Sequence, residues 1–190
     1  ICFFNEIITI NKIGVDQLFE SIKFTRDVLE EHHTIQDLNI EPLNIEYESC
    51  YFRLANHTYR SRRAKKTPNK KGYFVVFWVK DENNKNRPYT YGESADKLII
   101  TIMDAAKKGQ FIIPKEVLLK KHIISHNNIK GKMAMRVYPS WEENLNKTAT
   151  QTQNWQQDYF IDLSDSVDSQ NIAKLYQKVF KNKKNHPIRK

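Results

Sequence analysis

The sequence predicts a single-domain α+β fold with a mixed or antiparallel central sheet flanked by helices. Three patterns carry that expectation. Cys50, Phe52 and Leu54 alternate with Tyr51 and Arg53, the period-two signature of a strand with one buried face. Tyr73-Phe74-Val75-Val76-Phe77-Trp78-Val79 is apolar on both faces, as a central strand covered on two sides would be. Ile172, Leu175, Tyr176, Val179 and Phe180 fall at helical spacing, a stripe that one side of a helix buries.

Taken in order, Leu18, Phe19, Ile22, Val28 and Leu29 lie near one side of an amphipathic helix over about Val15 to Glu31. Pro42 and its polar neighbours from Ile40 to Asn44 read as a linker. The strand at Cys50 turns through Ala55-Asn56-His57 into a second strand ending at Arg63, a hairpin that Thr67-Pro68-Asn69 then breaks. The polar stretch from Asp81 to Arg87 is a loop. Leu98 to Ile102 and Phe111 to Ile113 are strands joined through Lys107-Lys108-Gly109, Pro114 opens a short helix to about Lys121, and Met133 to Tyr138 is a further strand. Trp141 to Gln157 is mixed. Ser164, Ser166 and Ser169 are N-cap residues for the last helix, and Lys178, Lys181, Lys183 and Lys184 crowd its C-terminal end, where cations oppose the dipole favourably. The organisation expected is an N-terminal helix and linker (1–44), an α+β domain (45–180) and a basic tail (181–190).

A chain of 190 residues with 39% hydrophobic content and only 5 Gly and 6 Pro can bury one sizeable core and is too apolar for a disordered segment. No apolar run approaches the roughly 20 residues of a bilayer-spanning helix. Asn5 and Glu6 interrupt the short apolar start and no basic region precedes it, so a secretory signal is not expected. Cys2 and Cys50 are too few for a disulfide framework or a cysteine-based zinc site, and free thiols fit a reducing cytoplasm. His32, His33, His122 and His126 have no acid or cysteine around them that would select a metal. The net charge of +9 attracts polyanions, of which nucleic acid is the most abundant in a cell.

Three segments concentrate the chemistry. Tyr59 to Phe74 contains no acid; alternation sends Arg60 and Arg62 to one face and Arg63 and Lys65 to the other, and Lys70 and Gly72 follow the Thr67-Pro68 turn. Such a segment either binds an anion or is an edge strand blunted by lysines. Arg136, Tyr138 and Trp141 combine a phosphate-gripping cation with rings that stack on bases or pack in a core. Gln153 and Gln157 share a helix face, as do Gln151 and Trp155, an amide-rich surface suited to reading a polar ligand or a base edge.

Acids are scarce beside these bases. Asp96 stands at the entrance of the Leu98 strand, Glu46 and Glu48 precede the first hairpin, and Lys65, Lys70, Lys80 and Lys115 lie on or beside strands. One Asp beginning a strand, with an acid and a Lys converging on it, is how restriction-endonuclease-type nucleases hold Mg²⁺. The catalytic candidates on that reading are Glu48, Asp96, Lys65 and Lys70. No acid-x-Lys triplet follows Asp96, and Gln110 stands where an acid would be wanted.

The strings Arg63-Ala64-Lys65-Lys66-Thr67-Pro68-Asn69-Lys70 with Gly72, Phe74, Val75 and Trp78; Gly109-Gln110-Phe111-Ile112-Ile113-Pro114-Lys115; Gly131-Lys132 with Met135 to Trp141; and Thr152 to Gln156 with Tyr159-Phe160 together resemble the signature of MepB-like proteins. The match covers roughly Tyr47 to Phe160; Lys71 before Gly72, and Met135, depart from the pattern. The resemblance implies a cytoplasmic protein associated with a multidrug efflux operon and a compact fold similar in outline to nuclease-like α+β folds.

The leading expectation is a nucleic-acid-binding protein, for DNA or RNA. In it Arg60, Arg62, Arg63, Lys65 and Lys70 contact phosphates while Arg136, Tyr138, Trp141, Gln153 and Trp155 line the same groove. The rivals are a Mg²⁺-dependent nuclease, the one reading that calls for a cofactor, and a regulatory module for an acidic protein partner.

Overall fold

The computed structural model describes residues 19–29, 34–165, 172 and 174–176. A mixed six-stranded sheet organises the chain in the order β1 (Gln36–Ile40), β2 (Cys50–Leu54), β3 (His57–Arg63), β8 (Lys97–Asp104), β9 (Lys107–Pro114), β11 (Phe160–Asp162). β3 and β8 run parallel and the other neighbours antiparallel. A second sheet of three strands is ordered β10 (Ala134–Val137), β5 (Lys70–Val76), β4 (Lys65–Thr67), and β6 (Trp78–Lys80) pairs with β7 (Asn86–Pro88). The helices are α1 (Glu20–Leu29), α2 (Lys115–Lys120) and α3 (Lys147–Gln156).

Alternation along β8 and β9 builds two cores. Leu98, Ile100, Ile102, Phe111 and Ile113 point to one side and meet Tyr73, Val75 and Phe77 of the second sheet; Ile99 and Ile112 point to the other and meet Phe19, Ile22 and Leu29 around α1, with Ile172 and Tyr176. Burial on both faces is why these strands read as continuous apolar runs. The sheet is thus flanked by helix on one face and largely by sheet on the other. The described part of the expected C-terminal helix, Ile172 and Lys174–Tyr176, is helical; Val179, Phe180 and the lysines beyond lie outside the described residues, as do Val15 to Leu18 and residues 30 and 31 of the first helix.

Several elements differ from expectation for local reasons. β1 falls inside the stretch read as helix and linker, because a short, polar edge strand with Asp37 at φ 50° and a register shift has no alternating pattern to announce it. Lys107, Lys108 and Gly109 lie within β9; the hairpin turns at Ala105-Ala106, where Ala105 adopts φ 52° without a glycine. Gly109 is required for close approach, since a Cβ there would stand 2.6 Å from the Phe160 ring. The run from Tyr73 to Val79 is not buried on both faces. Tyr73, Val75 and Phe77 are buried, whereas Phe74, Val76 and Trp78 are half-exposed.

Two buried polar side chains on the α1 side, Gln110 and Lys97, bridge separate elements. Gln110 donates to Thr25 Oγ1 at 2.9 Å and Thr101 Oγ1 at 3.1 Å and accepts from the Tyr176 hydroxyl at 2.7 Å, so it is a structural bridge between β8, β9, α1 and the last helix. Lys97 is buried and donates to the backbone carbonyl of Tyr176; burial holds its ammonium down at about 8 against a weaker opposing effect of Asp96.

Candidate nucleic-acid interface

The basic residues of the acid-free segment divide among three environments. Arg60 and Arg62 share a face of β3, as alternation requires, and both close on Glu41: Arg60 Nε donates to its two oxygens at 2.9 and 3.1 Å, and Arg62 Nη1 to Oε2 at 2.9 Å. The Arg60 guanidinium lies 4.0 Å from the centre of the Tyr89 ring and donates to the Glu93 carbonyl, while Arg62 is fully buried and also donates to the Ser61 carbonyl at 2.8 Å. Burial pushes the Glu41 carboxyl up, but the two guanidiniums outweigh it and hold the group below its ordinary value. Arg63 points to the other face and is held by Glu20 at 2.6 Å and Glu48 at 2.8 Å. These three arginines are internal ion-pair partners, and Arg62 has no surface from which to reach a phosphate.

The proposed acids are also apart. Glu48 accepts the Ser21 amide at 2.7 Å as well as Arg63, at the C-terminal end of β3. Asp96 accepts the Thr58 amide and hydroxyl, both at 2.9 Å, at the N-terminal end. Thr58 and Arg63 are five residues apart on one strand, roughly 17 Å at the extended rise. Burial raises the Asp96 carboxyl, and the Thr58 bonds, Lys115 and His57 more than offset it, so the group sits below the usual value. Lys115, 3.7 Å from Asp96, is the lysine that converges on it, in place of Lys65 or Lys70. Mg²⁺ requires several oxygens converging on one point. Among the described residues no three acidic, histidine or cysteine side chains gather in that way, and Asp96 spends one oxygen on Thr58 while the other faces Lys115. The residues named for a Mg²⁺ site therefore do not assemble one.

Arg136 serves the backbone. Between the pairs Lys66↔Tyr73 and Thr67↔Lys70, β5 carries two unpaired residues, Lys71 and Gly72, a bulge whose glycine stands at φ 70°. The Arg136 guanidinium donates to the Lys71 carbonyl at 3.0 Å, the Gly72 carbonyl at 3.2 Å and the Thr67 hydroxyl, pinning both strands of the hairpin. Tyr138 lays its ring over Gly72. The amides of α3 are used internally as well. Gln153 donates to the carbonyls of Pro139 and Glu142, Gln156 spans the Arg136 carbonyl and the Tyr138 amide, and Gln157 donates to the Tyr138 carbonyl. Trp141 and Trp155 pack against the core that contains Tyr73, Val75 and Phe77. Trp141 and Trp155 are thus spent on core packing and the α3 amides on backbone, whereas Lys65 and Lys70 are exposed.

One surface does combine free cations with rings. On the outer face of the second sheet, Lys65 of β4 and Arg136 of β10 both stand directly opposite Phe74 of β5, which places the three side chains in one cross-strand row. The Arg136 guanidinium is 5.8 Å from the Phe74 ring centre, Tyr47 meets Phe74 edge-on at 6.4 Å, and the exposed Lys65 ammonium lies 4.6 Å over the Tyr47 ring. Val76 continues the outer stripe, Trp78 follows on β6 with Lys80 5.4 Å over its ring, and Lys70 and Lys71 are exposed at the hairpin end. Among the described residues no carboxylate is ion-paired with Lys65, Lys70 or Lys71, whereas Lys66 is paired with Asp104 at 2.9 Å. Phe74 and Tyr47 were not singled out from sequence. Phe74 sits in a run that is apolar at every position, a pattern that by itself predicts burial on both faces.

Comparisons with known proteins place this geometry in context. A family profile described as MepB-like matches residues 41–162. The crystal structure of MepB is 44% identical, with a TM-score of 0.70, over 78% of this chain and 99% of that chain. The structure of a bacterial homing endonuclease, I-Ssp6803I, is 12% identical with a TM-score of 0.40 over 76% of this chain and 90% of that one. Curated protein sequences give no match.

Proposed function

The chain belongs to the MepB-like family, and from that premise we propose that it binds nucleic acid through the outer face of its three-stranded sheet. The observation that carries the reading is the row of Lys65, Phe74 and Arg136 with Tyr47 beside it, built wholly from residues inside the family segment. Exposed lysines beside half-exposed rings supply the two interactions that a nucleic acid uses, phosphate neutralisation and contact with base faces. Lys65, Lys70 and Lys71 are the phosphate contacts; Arg136 is a positioning residue that holds the hairpin bearing them. None of the described helices is long and apolar enough to cross a membrane. The same proposal assigns the protein to the cytoplasm, where nucleic acid is the abundant polyanion.

The test is fluorescence-anisotropy binding of labelled DNA and RNA as a function of salt. Binding should weaken steeply with salt, and the triple substitution Lys65→Ala/Lys70→Ala/Lys71→Ala should make the log–log salt slope shallower by about 2, since each phosphate contact on a single strand contributes roughly 0.7. Salt-insensitive binding, or a slope unchanged in the triple variant, would contradict the assignment.

A further inference from the structure

We infer that the occupant of this face is a single strand whose bases are unstacked from one another and lie on Phe74 and its neighbours; this rests on the nucleic-acid reading above. The argument begins with what the face would leave unused. Phe74 and Val76 form a half-exposed apolar stripe on the middle strand of the sheet, with half-exposed Trp78 following on β6, and cations stand beside them: Lys65 and Arg136 flank Phe74 across the sheet, and Lys80 lies over Trp78. A duplex offers this surface its backbone and the groove edges of its bases but not their faces, which are stacked inside, so it would engage the lysines and leave the rings without a stacking partner. A single strand offers both phosphates to the rim and π-faces to the centre.

Spacing points the same way. Successive outward side chains on a strand are about 6.8 Å apart, twice the roughly 3.4 Å rise per residue. Stacked bases repeat at about 3.4 Å along each strand. The Phe74-to-Val76 interval on β5 is thus twice the stacking interval, so a base lying on Phe74 is separated from the next one along the stripe rather than stacked on it. Arg136 is held by three acceptors on the hairpin, and the Lys65 ammonium lies over the Tyr47 ring. Rings have no donor or acceptor pattern to match, so the binding should be tolerant of sequence.

The experiment compares the whole protein's affinity for four labelled oligonucleotides of one length: mixed-sequence single-stranded DNA, the same sequence as RNA, the DNA duplex, and an abasic single strand with the same phosphates. Phe74→Leu, which removes the ring while keeping an apolar side chain, is measured alongside, with its thermal melt checked against the parent. The two base-bearing single strands should bind most tightly, and Phe74→Leu should weaken them by about 5- to 150-fold, the range of one stacking contact. The abasic strand and the duplex should be weaker for the parent and little changed by the substitution. The abasic arm needs no variant, so the inference stays testable if Phe74→Leu fails to fold. Duplex binding equal to or tighter than single-strand binding, or an abasic strand bound as well as its base-bearing counterpart, would overturn the single-strand inference and leave the basic face standing. Binding to none of the four would overturn both.

Discussion

Replacing Glu41 with glutamine should destabilise the protein by about 3–5 kcal/mol, the usual consequence of removing one partner from a buried ion cluster. Glu41 alone receives both Arg60 and Arg62, and the Arg62 side chain has no exposure through which water could compensate. Glutamine keeps one acceptor oxygen but withdraws the charge, leaving two guanidiniums side by side at the base of β3. Urea denaturation of parent and variant measures the difference directly. A double variant, Glu41→Gln/Arg62→Met, should recover part of the loss, because it also removes a buried cation that would otherwise lack its counter-charge. The cluster also predicts a pH dependence. The Glu41 carboxyl is depressed below its ordinary value of 4.5, so the folded state binds fewer protons there than the unfolded chain. Its stabilising contribution is fully present above about 4.5 and is lost as pH falls through the lower folded-state value. The parent should therefore lose more stability than the Glu41→Gln variant on acidification below that point, and equal losses would remove Glu41 from the account.

The second large effect is expected at Gly72. Alanine there would have to adopt φ 70°, which costs an L-residue roughly 1–2 kcal/mol. Its Cβ would also stand 2.5 Å from the Tyr138 ring and 2.7 Å from the Val137 carbonyl, and overpacking of that kind adds about 1–3 kcal/mol. The total, about 2–5 kcal/mol, should appear in the same denaturation experiment. Removing the ring with Tyr138→Ala should rescue only part of it, since the backbone carbonyl and the left-handed conformation remain. The bulge at Lys71 and Gly72 is also what Arg136 grips, so Gly72→Ala should disorder the presentation of Lys70 and Lys71 and weaken nucleic-acid binding beyond what the stability change explains.

Much of this molecule was legible in the sequence, and the parts that were not share a cause. The hairpin from Cys50 to Arg63, the short helix after Pro114 and the strand near Met135 follow from alternation and from proline's fixed backbone angle. The separation of Arg60 and Arg62 from Arg63 was given by period two alone. What period two does not give is the partner. Arg60, Arg62 and Arg63 look like a basic patch in a stretch without acids, yet Glu41, Glu20 and Glu48, brought in from α1 and the segment before β2, meet them. Gln153 and Trp155 carry the residue types of a base-reading surface, but their helix lies against the segment after β10, whose irregular backbone needs those amides. The second sheet was hidden for a related reason: a two-residue bulge separates β4 from the register of β5, and no local pattern says that Phe74 faces outward while Val75 faces in.

The central claim is that the outer face of the second sheet is where nucleic acid lies, and ultraviolet crosslinking tests it most directly. The intact protein, bound at low salt to a single-stranded oligonucleotide carrying 4-thiothymidine, would be irradiated and digested, and the crosslinked peptides mapped. Crosslinks concentrated on the peptides containing Tyr47 and Phe74 to Trp78, and suppressed by raised salt, are the predicted result. Crosslinks confined to the α3 side around Trp141 and Trp155, or absent under conditions where anisotropy reports binding, would contradict it.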